Sequence, residues 1–184
     1  LNKVTLLAVP HTLCAAVMVG GAFVAAIARW HILRRPDSGV DAFVSAAKLG
    51  AVTLLIAGLG VIISGDIQGK IMTEVQPMKM AAAEALYEDA ESCAPFSVLT
   101  IGTLDGSESV FSIEVPCVLS QLATGSFDGS VRGINSLNAE YADTYADTGI
   151  TNFAPNIPVT YWSFRLMMGL GFVAMAIGGW ILWA

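Results

Sequence analysis

The segment FVSAAKLGAVTLLIAGLGVIIS at residues 43–64 decides the fold class of this chain. It exceeds the roughly 20 residues that an α-helix needs to cross a hydrocarbon core of about 30 Å. Lys48 is its only charged residue. Apolar blocks of similar length occupy residues 4–32 and 157–184. The pattern predicts three transmembrane helices.

The composition supports this assignment. Of 184 residues, 55% are hydrophobic and 13% are charged, and the mean hydropathy is +0.67. Soluble globular domains carry about a quarter charged residues. We therefore predict an all-α integral membrane protein. The chain opens on Leu1 and ends inside an apolar block, without the features of a signal peptide. These ends indicate a part of a longer protein, with its three helices in a larger helical bundle.

The connecting segments predict the orientation of the helices. The short link at residues 33–42 is basic, with Arg29, Arg34 and Arg35 in it or beside it, whereas residues 65–156 hold all but two of the 15 Asp and Glu residues. An excess of Lys and Arg in a short loop marks the cytoplasmic side. The predicted domains are residues 1–64, with transmembrane helices at about 4–32 and 43–64; residues 65–156, a long mixed extracytoplasmic loop; and residues 157–184, the third helix.

Two candidate metal ligands follow from this orientation. His11 lies about two turns from the outer end of the first helix, and Met167 nearly three turns from the outer end of the third, at about 1.5 Å per residue. Their predicted heights in the membrane are similar. An imidazole and a thioether form a known axial pair for haem iron. Taken singly, each residue is more often a packing residue than a ligand.

Arg165 strengthens the haem hypothesis. A guanidinium inside an apolar span is costly, so an ionisable residue there is a functional candidate. A haem propionate would supply its counter-ion. Because Arg165 is near the helix end, its side chain could instead reach the lipid headgroups.

Residues 76–88, QPMKMAAAEALYE, predict a helix in the outer segment. Pro77 suits the first position of a helix, and strong helix formers follow it. Lys79 and Glu84 are five residues apart, or about 140° around a helix, so they are not the usual i,i+4 surface pair. This spacing indicates a role other than local helix stability. Asp66 stands between glycines, where the chain is predicted to leave the second helix.

The rest of the outer segment mixes several kinds of structure. Short extended runs are predicted at residues 97–104 and 109–115. A short helix and an acidic, glycine-punctuated loop are predicted for residues 116–149. Cys93 and Cys117 both lie in this segment, where an oxidising compartment permits a disulfide. Two unpaired thiols remain an equally open interpretation.

Three ordered motifs match one known family. They are GDIQGKIMTEVQPMKMAAAEALYE at residues 65–88, IEVPCVLSQLATGSFDGSVRGINSL at residues 113–137, and YWSFRLMMGLG at residues 161–171. With three apolar helices around them, they make the chain resemble subunit I of cytochrome bd-type quinol oxidases. The resemblance covers the fifth to seventh transmembrane helices and the external quinol-binding loop, which is nearly the whole chain.

The resemblance implies roles for individual residues. His11 and Met167 take the positions of the axial ligands of the low-spin haem b558, and Arg165 takes that of the haem-associated arginine. Lys79 and Glu84 match the lysine and glutamate of the quinol-binding loop. Asp66 takes the place of the acid that begins this loop. The loop pair is then expected to bind and deprotonate quinol at the outer face, beside the haem that takes its electrons.

The same resemblance implies partners that this chain lacks. The ligands of haem b595 and haem d would come from other helices of subunit I, so the chain alone is not expected to reduce oxygen. Expected partners are a menaquinol or ubiquinol, the remaining helices of subunit I, subunit II, small accessory subunits and membrane lipid. No nucleic-acid partner is predicted. The expected location is a bacterial or archaeal cytoplasmic membrane, with several spans.

Two other functions are compatible with the residues alone. One is a haem b membrane-anchor subunit of a quinone-linked dehydrogenase, although such anchors more often use two histidines. The other is a non-redox membrane scaffold or receptor with an acidic external domain. A visible absorption spectrum separates the redox functions from the scaffold, which would be colourless.

Overall fold

The computed structural model describes residues 2–34, 39–103 and 106–183. Arg35 of the predicted basic link and Leu104 of a predicted extended run lie outside the described residues. The chain forms two compact units, residues 1–67 with 168–184 and residues 68–167. The described elements are α1 (Lys3–Arg34), α2 (Val40–Val75), α3 (Pro77–Glu84), β1 (Phe96–Gly102), β2 (Ser109–Val115), α4 (Val118–Thr124), α5 (Ile134–Thr144), a short 3-10 helix (Ala146–Thr148) and α6 (Ile157–Trp183).

Among the described residues, three helices are long and apolar enough to cross a membrane, namely α1, α2 and α6. Their side chains are largely exposed within the chain, as expected for surfaces that meet lipid or other helices. The prediction of a helical membrane protein with three apolar spans is therefore confirmed. A small two-stranded sheet accompanies the helices.

The second helix is longer than the sequence analysis predicted. It was expected to end at Ser64, but α2 continues to Val75. The glycines around Asp66 lower helix propensity without interrupting the helix. The end comes at Gln76, which has φ −143° and ψ 61° because the residue before a proline disfavours the helical region. Asp66 is half-buried within α2 instead of lying in a loop.

Close contact between two helix backbones organises the first unit. A Cβ added to Gly21 of α1 would lie 2.7 Å from the amide nitrogen of Leu54, and one added to Gly50 of α2 would lie 2.6 Å from that of Ala25. Both distances are far below van der Waals contact. The two glycines therefore let α1 and α2 approach each other, as small residues commonly do between membrane helices.

Gly21→Ala is expected to force α1 and α2 apart and to destabilise the unit by about 1–3 kcal/mol, the usual cost of overpacking. The adjacent Gly20 provides a matched control, because a Cβ there meets no described atom within 4 Å. Thermal unfolding of the purified full-length assembly should show a lower midpoint for Gly21→Ala than for Gly20→Ala. Equal midpoints would contradict the contact.

The second unit contains an antiparallel hairpin. Strands β1 and β2 pair from Phe96 opposite Val115 to Gly102 opposite Ser109, which confirms the predicted extended runs in this region. Every residue of β2 is exposed, whereas β1 buries Ser97 and Thr100. The buried polar residues of the hairpin therefore all belong to β1.

Helix α5 was not predicted, because its sequence reads as an acidic loop. Asp89 Oδ1 accepts hydrogen bonds from the Gly133 amide, at 2.6 Å, and from the Ser136 hydroxyl. These bonds, that of Gly133 foremost, lower the pKa of Asp89. They also satisfy amide and hydroxyl groups at the helix start, where backbone donors have no partner within the helix. The acceptor that satisfies the start of α5 therefore lies 44 residues earlier in the chain.

A disulfide joins Cys93 to Cys117 and decides between the two interpretations left open by the sequence. It links the segment before β1 to the start of α4. The Ser120 hydroxyl reinforces this link, because it accepts a hydrogen bond from the Ala94 amide at 2.7 Å and donates one to the Gly129 carbonyl.

Removing the disulfide with Cys93→Ser and Cys117→Ser together is expected to destabilise the second unit by roughly 3 kcal/mol, because the unfolded loop gains conformational freedom. Intact-mass measurement after alkylation without reductant should find neither thiol labelled in the wild-type protein. Cys14, a free thiol in α1, serves as the internal control. Two labels at Cys93 and Cys117 would contradict the bridge.

Candidate functional site

A buried ion pair joins two of the predicted site residues. Arg165 of α6 approaches Glu84, the last residue of α3, with Nη2 2.5 Å from Oε2 and Nη1 3.3 Å from Oε1. The two side chains are 8% and 2% exposed, respectively. Two parallel N–H to oxygen bonds give the strong, orientation-specific form of an arginine–carboxylate pair. The sequence analysis assigned these residues to different roles and did not predict their contact.

The surroundings of Arg165 fix its guanidinium in place. Its Nε donates a hydrogen bond to the Ser97 carbonyl at 2.7 Å. The guanidinium carbon lies 4.5 Å from the ring centre of Phe96, 4.8 Å from that of Tyr161 and 5.5 Å from that of Phe164. All three distances are within the range of cation–π attraction. A cation so enclosed has little freedom to leave its carboxylate partner.

Hydroxyl groups extend the network away from the ion pair. The Ser97 hydroxyl lies 2.5 Å from the Thr100 hydroxyl and 2.7 Å from that of Tyr161. Within the described residues, no buried side-chain nitrogen or oxygen lacks a hydrogen-bond partner. Full satisfaction matters because a buried charge without partners costs several kcal/mol.

The electrostatic setting makes Glu84 a suitable proton acceptor. Burial raises the pKa of the Glu84 carboxyl, and the hydrogen bonds and charge of Arg165 oppose that rise. A general base is most effective when its pKa lies near the working pH. Burial and Arg165 therefore act in opposite directions on the basicity of this carboxylate.

Lys79 occupies the exposed side of the same short helix. Its side chain is exposed, whereas Met78, Met80 and Glu84 on the other sides of α3 are buried. Lys79 and Glu84 therefore lie on different sides of α3, as their predicted angular separation requires, with the cation exposed and the carboxylate buried. The structure does not bring the two together as an ion pair.

A cavity of about 200 Å³ adjoins the hydroxyl network. It shares Thr100 and Tyr161 with that network, and its other lining residues include Ala85, Tyr87, Ile157 and Trp162. An engineered protein cavity of about 150 Å³ is known to hold benzene. This cavity is therefore large enough for one aromatic ring, and Thr100 and Tyr161 form part of its lining.

In the first unit, the His11 ring has a hydrogen-bond partner and occupies the space beside Gly65. Its Nδ1 lies 3.0 Å from the Ser64 hydroxyl of α2. A Cβ at Gly65 would come within 3.3 Å of His11 Cε1, so the missing side chain leaves space that the imidazole fills. Met167 belongs to the second unit, and its thioether side chain is 53% exposed.

The whole chain, residues 1–184, matches the family described as cytochrome bd terminal oxidase subunit I. The chain belongs to this family. The resemblance predicted from the three motifs is thereby confirmed.

Two relatives of this subunit I chain are named as subunit 1 of cytochrome bd oxidases. It is 38% identical over 172 residues to cytochrome bd ubiquinol oxidase subunit 1 of Bacillus subtilis, covering 92% of the chain and 36% of the relative. It is 34% identical over 139 residues to cytochrome bd-II ubiquinol oxidase subunit 1 of Escherichia coli, covering 76% of the chain and 27% of the relative. The chain therefore spans about a third of the length of these relatives.

A solved structure is also similar to the subunit I chain. It is that of the bd oxidase from Geobacillus thermodenitrificans, with 27% sequence identity and a TM-score of 0.62. The match covers 95% of this chain and 45% of that one. The likeness therefore extends over nearly all of the elements described above.

The motifs identified Lys79, Glu84 and Arg165 but missed the groups around them. Ser97 belongs to β1, and its carbonyl and hydroxyl contacts depend on the tertiary fold. Tyr161 did offer a local signal, since it precedes Arg165 by four residues and such pairs lie on one face of a helix. Ser64 stands beside the GD motif but contacts a residue 53 positions away.

Proposed function

We propose that this chain is the part of a cytochrome bd-type oxidase that binds quinol at the outer face of the membrane and passes its electrons to a low-spin haem b. The names of the relatives support this choice of substrate, since they include ubiquinol oxidases and a putative menaquinol oxidase from Bacillus subtilis. The observation that carries the proposal is the buried Glu84–Arg165 pair. Arg165, which stands two residues before the proposed ligand Met167 on α6, holds the carboxylate of Glu84.

The residues of the second unit fit proton removal from a quinol. Oxidation of quinol to quinone releases two protons with two electrons. Glu84 accepts a proton at its carboxylate, helped by the rise in pKa that burial produces. Arg165 stabilises the ionised carboxylate before the transfer through its two hydrogen bonds. Lys79 attracts and orients the quinol oxygen from the exposed face of α3.

Two further features, considered separately, support quinol as the substrate. Asp66 is a tentative second carboxylate, because it takes the family position at the start of the loop. The cavity lined by Thr100 and Tyr161 is large enough for one aromatic ring. These features favour a quinol over an aliphatic substrate.

His11, Met167 and Arg165 are the residues that would hold the haem. The packing of the His11 ring beside Gly65 and the hydrogen bond between Nδ1 and Ser64 leave Nε2 as the nitrogen that would bind a metal. The haem would supply a one-electron acceptor for quinol oxidation. A guanidinium carries five N–H donors, so Arg165 can bind a haem propionate while it also binds Glu84.

The remaining steps belong to helices outside this chain. We propose that haem b595 and haem d, with oxygen reduction, are held by other parts of subunit I, and that subunit II and small accessory subunits complete the assembly. The location is the bacterial cytoplasmic membrane, with residues 65–156 on its outer side. This orientation would release the protons of quinol outside.

Lys79→Ala in the full-length oxidase is expected to lower quinol oxidation by about 10² or more, or roughly 2.7 kcal/mol in the barrier. Because Lys79 is exposed, the change to alanine should cost the helix nothing. Haem absorbance and reduction by an artificial donor should remain normal. Lys79→Arg, which keeps the charge, serves as the matched control. Near-normal quinol turnover in Lys79→Ala would return α3 to a structural role.

A further inference from the structure

The groups around the Ser64 hydroxyl determine the direction in which its proton points. Its oxygen lies 2.6 Å from the Gly60 carbonyl oxygen and 3.3 Å from that of Val61, one turn earlier in α2. Carbonyl oxygens accept hydrogen bonds and cannot donate them. The single hydroxyl proton therefore points back to the helix, in the pattern common for serine in membrane helices.

This assignment determines the tautomer of His11. With its own proton directed at Gly60, the Ser64 oxygen can only accept from the His11 Nδ1, 3.0 Å away. Nδ1 must therefore carry the proton. In a neutral imidazole the other nitrogen, Nε2, then has a free lone pair, which is the form that binds a metal.

The neighbouring glycine holds the ring in the same arrangement. A Cβ at Gly65 would lie 3.3 Å from Cε1 of His11, which is tighter than ordinary contact, and 3.7 Å from Nδ1, which is ordinary contact. The ring thus rests against the α2 backbone while Ser64 holds one of its nitrogens. Both restraints come from α2, and both act on the same edge of the imidazole.

We propose that Ser64 is a positioning residue for the haem site, which directs Nε2 of His11 to the iron and tunes the electron affinity of the haem. The inference rests on the proposed function, because it takes His11 as an axial ligand. A partner that accepts the Nδ1 proton raises the basicity of the ligand. A more basic ligand stabilises ferric iron more than ferrous iron, so Ser64 lowers the reduction potential.

Ser64→Ala in the full-length oxidase tests this role through the midpoint potential and absorption spectrum of the low-spin haem b. The variant should keep the haem, with ferric ligation weakened relative to ferrous by about tenfold, or ~59 mV upward for one electron. Ser64→Thr, which keeps the hydroxyl, should restore the wild-type potential. Ser45→Ala is the matched control, because Ser45 makes the same bond back to its own helix, to the Asp41 carbonyl.

Two results would overturn the inference. One is an unchanged potential and spectrum in Ser64→Ala, and the other is loss of the haem in both Ser64→Ala and Ser64→Thr. A parallel His11→Ala variant distinguishes this failure from failure of the proposed function. If His11→Ala keeps a normal low-spin haem, His11 is not the ligand and the proposed haem site itself is wrong.

Discussion

His11→Ala in the complete subunit I is expected to abolish the low-spin haem b absorbance and to stop electron flow from quinol. An axial imidazole cannot be replaced by a methyl group, so the iron loses a ligand outright. The haems that we propose for other helices of subunit I should remain, because the variant leaves those helices unchanged. The measurement is a reduced-minus-oxidised spectrum of the purified oxidase, with total haem content determined in parallel.

Met167→Leu supplies the second half of this test. Leucine nearly matches methionine in volume, so the packing cost should be under about 1.5 kcal/mol. The thioether is lost, and the low-spin spectrum and potential should therefore change even though the protein folds. Met168→Leu, the adjacent methionine, is the matched control. Wild-type low-spin spectra in both His11→Ala and Met167→Leu would mean that other residues hold the haem.

Glu84→Gln is expected to have the largest effect of any substitution in the second unit. It removes the charge that neutralises Arg165, and breaking a buried pair by removing one partner typically costs about 3–5 kcal/mol of stability. It also removes the proposed proton acceptor, so quinol oxidation should fall by about 10² or more. Thermal unfolding and steady-state kinetics over a range of quinol concentrations measure the two effects separately.

The double variant Glu84→Gln with Arg165→Gln separates chemistry from structure. Without either charge, no ion is left unpaired, so much of the lost stability should return, as in a double-mutant cycle. Quinol oxidation should stay low, because no carboxylate is present to take the proton. Recovery of both stability and turnover in the double variant would show that Glu84 serves only as a structural partner of Arg165.

The parts of the fold that sequence could predict are those with local causes. The apolar blocks predicted α1, α2 and α6 because burial in lipid requires a long uninterrupted run of apolar residues. The end of α2 was placed too early, since glycines at residues 65 and 69 are weak signals whereas Pro77 is a strong one. Helix α5 was missed because Asp89, which satisfies its first backbone donor, is distant in the sequence.

The same division between local and long-range causes applies to the candidate site. Motifs identified Lys79, Glu84 and Arg165 one by one, since residue type and order are visible in sequence. Their arrangement was not visible, because Glu84 and Arg165 are 81 residues apart and meet only through the tertiary fold. The sequence analysis accordingly assigned Arg165 a haem propionate as counter-ion, whereas within the described residues its carboxylate partner is Glu84.

The separation of Glu84 and Arg165 also bears on the order in which the protein is made. At about 5–20 residues per second, a ribosome needs roughly 4 to 16 seconds to add the 81 residues between them. Helix α3 can form within about a microsecond of its release, but burying its carboxylate without a cation is costly. The burial of Glu84 must therefore wait until Arg165 of α6 has been synthesised. A nascent chain stalled before residue 165 would hold Glu84 in water.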